Sequence, residues 1–206
     1  MRILAVNTAT NDRFVALCNG GVLDVFVPME EERRQVQDLV PVILGMVPDF
    51  SALDGFAIVT GPGSFTGVRI GIAALRGMAM AAKKPLVGMT SFDLYARALG
   101  RVDRDILVAV DSRRDELYFQ SYDCDLVPAG HPFMFLPETL PRDSGVIVTG
   151  DAANVAQAVG ELCLTKVTDT ALALGLYAAE MIEKGCISAP NPFYVRPPDI
   201  TLSAKG

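Results

Sequence analysis

The chain has 206 residues, 50% of them hydrophobic and 20% charged, with a formal net charge of −6 at pH 7. That length supports one ordinary domain or two compact lobes. The charge excludes a chain that grips a polyanion unaided, because nucleic-acid affinity rests on Lys and Arg neutralising phosphates. No apolar run approaches the ~20 residues that span a bilayer, yet a mean hydropathy of +0.33 implies apolar surface in want of a partner.

The opening MRILAVNTAT passes from one Arg straight into a β-rich run without the pattern of a signal peptide, so the chain is expected in the cytoplasm. Ile3 to Thr8, Phe14 to Cys18 and Val22 to Val27 read as three strands of an antiparallel meander, separated by turns at Asn11-Asp12 and Asn19-Gly20-Gly21. Beyond Pro28 and the charged stretch Glu30 to Arg34, the residues Val36, Leu39, Val40, Ile43, Met46 and Val47 recur at helical spacing.

Phe56 to Thr60 reads as a strand, Gly61-Pro62-Gly63 as a turn, and Thr66 to Ala82 as a second helix stopped by Lys83-Lys84-Pro85. Leu86 to Met89 is a further strand and Thr90 to Leu99 a short helix. A new strand at Ile106 to Val110, with Leu117 to Tyr122 as its hairpin partner, restarts the order. Val146 to Thr149, a helix from Ala152 to Val159 and a last helix from Thr170 to Lys184 complete the echo, and the Pro-rich tail from Pro190 to Gly206 has little periodicity. Two related α/β lobes follow, an N-terminal one over 1–103 and a smaller C-terminal one with the tail over 104–206.

The cysteines, Cys18, Cys124, Cys163 and Cys186, form no CxxC pair, which leaves reduced and mostly buried thiols as the expectation. The single histidine, His131, sits in a Pro-rich loop and builds no HxxxH or HExxH set, so no metal site is expected. Asp111 and Asp115-Glu116 around Arg113-Arg114 admit two readings, an acid/base pair or a solvated charged hairpin, and the second fits a strand turn better.

The loop Gly61 to Gly67 before a helix also admits two readings. Its glycines and the helix start suit a phosphate, but it lacks the Gly-Lys-Ser/Thr ending of a Walker loop. The alternative is a tight strand-to-helix turn with Ser64 or Thr66 as cap. The candidate nucleotide or structural loop is Asn7, Thr8, Gly61, Gly63, Ser64, Thr66 and Gly67.

The helix at Thr66 to Ala82 has Thr66, Arg69 and Arg76 as its only polar side chains, and such a helix must be covered on more than one side. The helix before it also exceeds a single apolar stripe. Together they nominate a partner face of Val36, Leu39, Val40, Ile43, Val47, Val68, Gly71, Ile72, Leu75 and Ala79.

ILAVNTAT at 3–10 and TGPGSFTGVRIG at 60–71 resemble the signature segments of the TsaB (YeaZ) family. LVPVI at 39–43, KPLVGMTSF at 84–92, VAVDSRRDELYF at 108–119 and NPFYVRPPD at 191–199 extend the resemblance over nearly the whole chain. It implies two RNase H-like lobes of the actin, Hsp70 and sugar-kinase (ASKHA) type. It also implies a non-catalytic subunit that dimerises with TsaD through a four-helix bundle and works with the ATPase TsaE. That assembly transfers threonylcarbamoyl to N6 of adenosine 37 in ANN-decoding tRNAs, with ATP and metal expected on the partners, none on this chain, and tRNA met indirectly. A homodimer is the expected state in isolation. Where this fold family usually ends its first strand with Asp, the chain has Asn7, and an amide cannot replace a carboxylate as metal anchor or base. An ATP-dependent ASKHA enzyme is the rival reading, and a glycopeptidase-like protease a more distant one.

Overall fold

The computed structural model describes residues 1–29, 35–187 and 189–196. Two mixed sheets repeat one plan. In the first, β1 (Arg2–Asn7), β2 (Phe14–Asn19) and β3 (Val22–Pro28) form the antiparallel meander, and β4 (Gly55–Val59) and β5 (Leu86–Met89) join in parallel on the far side of β1. In the second, β6 (Ile106–Asp111), β7 (Leu117–Tyr122) and β8 (Pro128–Phe135) make the meander, with β9 (Ile147–Thr149) and β10 (Glu161–Leu162) in parallel beyond β6. The orders β3-β2-β1-β4-β5 and β8-β7-β6-β9-β10 therefore correspond strand for strand. Central β1 and β6 are buried on both faces, which is why their sequences are nearly continuous apolar runs instead of alternating ones.

The helices distinguish the lobes. α1 (Gln35–Met46) and α2 (Phe65–Ala82) lie on one face of the first sheet. Their residues Leu39, Ile43, Val47, Val68, Ile72, Leu75 and Ala79 enter the main core with Leu4, Val6, Phe56 and Ile58. α3 (Ser91–Leu99) puts Phe92, Tyr95 and Ala96 against Ile106, Val108 and Val110 of the second sheet. On the second sheet's outer side, among the described residues, the one α-helical element is α4 (Ala153–Ala156), a single turn beside the 3-10 turn Pro137–Thr139, where the sequence reads as a helix from Ala152 to Val159. Ala152 supplies no capping bond, and one turn without a cap does not propagate.

The last helix, α5 (Val167–Glu183), corrects the domain division at 104–206. It crosses back and covers the first sheet, placing Ala171, Leu174 and Ala178 in that lobe's core. The cause is geometric: α2 covers one face of the first sheet, and the other, presenting Ile3 and Cys18, would otherwise be open to water. Gly175 allows the approach, since a Cβ there would lie 2.5 Å from Cys18 Sγ. Residues 189–196 follow α5 onto the first lobe, with the Phe193 amide donating to the Thr60 carbonyl at 2.8 Å.

Further differences concern the second meander and the thiols. His131, read as lying in a Pro-rich loop, instead belongs to edge strand β8, where Pro128 and Pro132 are tolerated because an edge leaves one row of backbone groups unpaired. Cys18 is buried, and burial pushes its thiol up to about 11, but Cys124 and Cys186 are exposed, against the expectation of mostly buried thiols.

Candidate functional site

The Gly61–Gly67 loop is built by contacts with the chain's own first hairpin. Ser64 caps α2, its hydroxyl accepting from the Gly67 amide at 3.2 Å, while its amide donates to the Ala9 carbonyl at 2.7 Å. The Thr8 hydroxyl donates to the Gly67 carbonyl at 2.7 Å. A Cβ at Gly67 would lie 2.0 Å from the Thr8 carbonyl oxygen, and one at Gly63 would lie 2.1 Å from that of Ala9. These glycines are required because β1 and its turn press on the loop, and the Ser64 and Gly67 amides, which a phosphate would need, already donate within the chain. Gly61, with φ +102, is packed from the other side by the Phe193 carbonyl. Thr66 is exposed and caps nothing.

Asn7 is wholly buried, and its amide organises the turn that follows. Nδ2 donates to Thr10 Oγ1 and to the Asp12 carbonyl, both at 2.7 Å, and Oδ1 accepts from the Ala9 amide at 3.0 Å. The equivalent position on the second sheet, the end of β6, is Asp111. Between them the two lobes meet at Asn11: its amide donates to Asp151 Oδ2 at 2.8 Å and its side chain to Asp111 Oδ2 at 3.1 Å. Tyr95 of α3 closes the junction from below, donating to Asp12 Oδ2 at 2.8 Å.

Three carboxylates thus surround one turn, and burial dominates the electrostatics of two of them, Asp12 and Asp151. Desolvation raises Asp151 to about 6, helped by the charges of Asp12 and Asp111 and opposed by the amides of Asn11 and Asp111 that donate to it. Asp12 is also raised, again chiefly by burial. Tyr95 is pushed well above its ordinary value by burial and by the charges of Asp151 and Asp12. Asp111 stands 3.5 Å from Arg113, while Asp115 is exposed and lies outside the cluster. Among the described residues, no group of three or more His, Cys, Asp or Glu side chains is placed to hold a metal ion.

Sequence reasoning missed Asp151. The signal was available: Ile58-Val59-Thr60-Gly61 and Ile147-Val148-Thr149-Gly150 are one tetrapeptide repeated at the same strand of each lobe. The residue after the second copy is the one that reaches across to Asn11.

The proposed partner face divides. Leu39, Ile43, Val47, Val68, Gly71, Ile72, Leu75 and Ala79 are buried beneath α1 and α2 in their own lobe. As anchors for another chain they are a correction: a helix on a sheet turns its strongest apolar stripe inward, and these residues are that stripe. Val36 lies in α1, but its side chain is outside the described residues. Of the nominated set Val40 stays exposed, at 38%, joined on the outward side by Leu44 at 47% and Met80 at 78%. Thr66, Ala73, Gly77 and Ala81 continue the outward face of α2. By length and composition α2 is apolar enough to cross a membrane, but its Ser64 cap and its core stripe make it a sheet-covering helix with a second apolar side.

A family model described as TsaD, tRNA N6-adenosine threonylcarbamoyltransferase, matches residues 5–127. The tRNA threonylcarbamoyladenosine biosynthesis protein TsaB of Escherichia coli (strain K12) is 38% identical over 133 residues, 61% of this chain and 56% of that one. TsaB of Haemophilus influenzae is 28% identical over 125 residues, covering 58% and 52%. The chain spans about half the length of these curated relatives. Among solved structures, YeaZ from Pseudomonas aeruginosa superposes with a TM-score of 0.72 at 25% identity, covering 94% of this chain and 99% of that one.

Proposed function

Because the chain belongs to the family that the TsaD model describes, in its TsaB (YeaZ) branch, we propose that it is a non-catalytic scaffold subunit in the synthesis of threonylcarbamoyladenosine in tRNA. In this reading it pairs with TsaD and supports threonylcarbamoyl transfer to N6 of adenosine 37 in ANN-decoding tRNAs, in the cytoplasm, with TsaE as a further member of the complex. ATP and metal belong to the partners, and tRNA meets the assembly chiefly through them, in keeping with this chain's net charge of −6.

The observation that carries the reading is the outward side of α1 and α2. Val40, Leu44 and Met80 stand exposed on helices whose other stripe already fills the core. Two helices with a second apolar side are the material of a four-helix bundle with an equivalent pair. In isolation the same side can meet a second copy. The rival ATP-dependent reading has less support: Asn7 spends both its donor hydrogens within the first hairpin, and the loop glycines are occupied by Thr8 and Ala9.

The test is co-purification of this chain with the TsaD of its own cell, followed by tRNA modification in the reconstituted system, for wild type and Met80→Asp. The reading expects a folded Met80→Asp chain that no longer holds TsaD or supports modification. Retention of both by the folded variant overturns the interface. ATP turnover by the repurified chain alone, abolished by a single substitution in it, overturns the non-catalytic role.

A further inference from the structure

The outward side of α2 is apolar along its middle and charged along one edge. At 100° per residue, Thr66, Ala73, Gly77, Met80 and Ala81 form the middle, Arg69 and Arg76 fall seven residues apart on a line beside it, and Lys83 follows at the helix end as its left-handed cap. That edge adjoins the 189–196 segment: Arg69 Nε donates to the Tyr194 hydroxyl at 3.0 Å, its guanidinium stacks on Phe65 at 3.7 Å, and Arg76 donates to the Pro190 carbonyl. Lys84 is the next residue, just past the helix end. From residue 55 to residue 92 the sequence contains no Asp or Glu. Among the described residues none of these four cations takes part in an ion pair. On α1 the only charged side chain is the half-buried Asp38. Among the described residues the face is thus locally basic, on a chain whose net charge is −6.

We propose that this basic edge selects the partner: the apolar middle takes an apolar helix, and Arg69, Arg76 and Lys83 pair with carboxylates along that helix's facing edge, so that an acidic-edged protein subunit binds in preference to a second copy of this chain. The proposal rests on reading the outward side of α1 and α2 as the partner surface. Where helices pack along an apolar seam, charges at seven-residue spacing beside the seam decide partner and direction. An antiparallel two-fold pairing of α2 with α2 sets the row against its own copy, and repulsion of that kind is how an interface rejects a wrong partner. Row and aromatics together would also suit RNA, but the apolar seam alongside favours a protein.

The test mixes the full-length wild type with an Arg76→Glu/Lys83→Glu variant, an acidic-edged helix of the same shape. Sedimentation velocity at about 0.05 and 0.5 M salt, where screening differs greatly, is combined with native mass spectrometry. Mixed dimers should exceed the statistical share, with affinity at least about fivefold above wild-type self-pairing at low salt, and wild-type self-pairing should strengthen with salt. A Lys83→Glu/Lys84→Glu variant, which leaves the Pro190 contact in place, must shift the same way. Statistical mixing, salt-indifferent self-pairing, or no mixed dimers at any concentration overturns the proposal. So does tight binding of a tRNA transcript that the charge reversal abolishes, since that assigns the row to RNA. Met80→Asp separates the two ideas: loss of all pairing in Met80→Asp with indifference to charge reversal keeps the face and removes the charge selection, whereas unchanged pairing in Met80→Asp removes the face.

Discussion

The two lobes share a strand order and differ in what covers them. The first sheet is sandwiched between α1 and α2 on one side and α5 on the other, whereas the second has α3 on its inner side and a single helical turn, α4, outside. Leu107, Phe119 and Val148 of the second sheet still form a core with Ala153 and Ala156 of that turn. A sheet of this size is therefore closed by far less helix than the first lobe carries. The twelve- and eighteen-residue helices of the first lobe exceed what its sheet needs, and their outward stripe is the excess. Removing α5 tests this contrast most severely. A chain ended after Thr165 exposes the face bearing Ile3 and Cys18 and deletes Ala171, Leu174 and Ala178 from the core. It should show no cooperative melt by calorimetry. A melt close to wild type would mean that the first lobe closes without its returning helix.

The two stripes of α2 make the next comparison. Ile72 is 4% exposed and Met80 78%. A carboxylate at Ile72 would be buried without a partner, and Ile72→Asp should cost more than about 4 kcal/mol in denaturant unfolding. Met80→Asp should change stability by less than about 0.5 kcal/mol. Equal costs at the two positions would contradict the inward and outward assignment.

At the junction of the lobes the comparison is between ionised and neutral Asp151. Its folded-state value of about 6 lies above the ordinary 3.8, so the folded chain binds this proton more tightly than the unfolded one. Below both values the group contributes nothing. As pH rises from about 4 to 6 the unfolded chain ionises first, stability falls, and the loss is complete above the folded value, about 3 kcal/mol for a shift of this size. Asp151→Asn should flatten that fall between pH 4 and 7. The amide still accepts one of the two backbone N–H groups, so the slope is the readout and the absolute stability is not. An unchanged slope would mean that Asp151 is solvated and the junction open.

The strands along the chain, the first meander and the repeat of the plan were legible because central strands are unbroken apolar runs and their turns carry Asn and Gly, as at Asn19-Gly20-Gly21. Leu86–Met89 and Leu117–Tyr122 were placed to the residue. β8 escaped because prolines mask an edge strand, and α4 was overread because Ala152 to Val159 has helical composition without a cap. The return of α5 to the first sheet was invisible because periodicity shows that a helix has an apolar stripe and never which sheet the stripe meets. The same limit misassigned the partner face. Ile72 and Met80 both look like members of an all-round apolar helix, and only the sheet beneath decides which is inside. Asn11 and Asp151 meet across 140 residues, a separation that only the two-lobed arrangement closes.

The smallest expected effect on stability gives the finest comparison, between Leu44 on α1 and Val155 on α4. Both are exposed apolar side chains on the outer helical layers of their lobes, at 47% and 63%. A carboxylate at either position stays in water, and each substitution should shift unfolding by about 0.5 kcal/mol or less. Their surroundings differ. Leu44 shares its side with Val40 and lies on the helix that packs beside α2 and Met80, whereas Val155 projects from a four-residue turn. If apolar excess on the first lobe is partner surface, Leu44→Asp should weaken TsaD capture at least tenfold, about 1.4 kcal/mol of binding, and Val155→Asp should leave it unchanged. Single exposed apolar residues are ordinary on any surface and carry no such expectation. Equal losses from the two substitutions would spread the binding surface over both lobes and remove the reason for the first lobe's larger helices. No loss from either would leave the outward stripe of α1 without a role in the pairing.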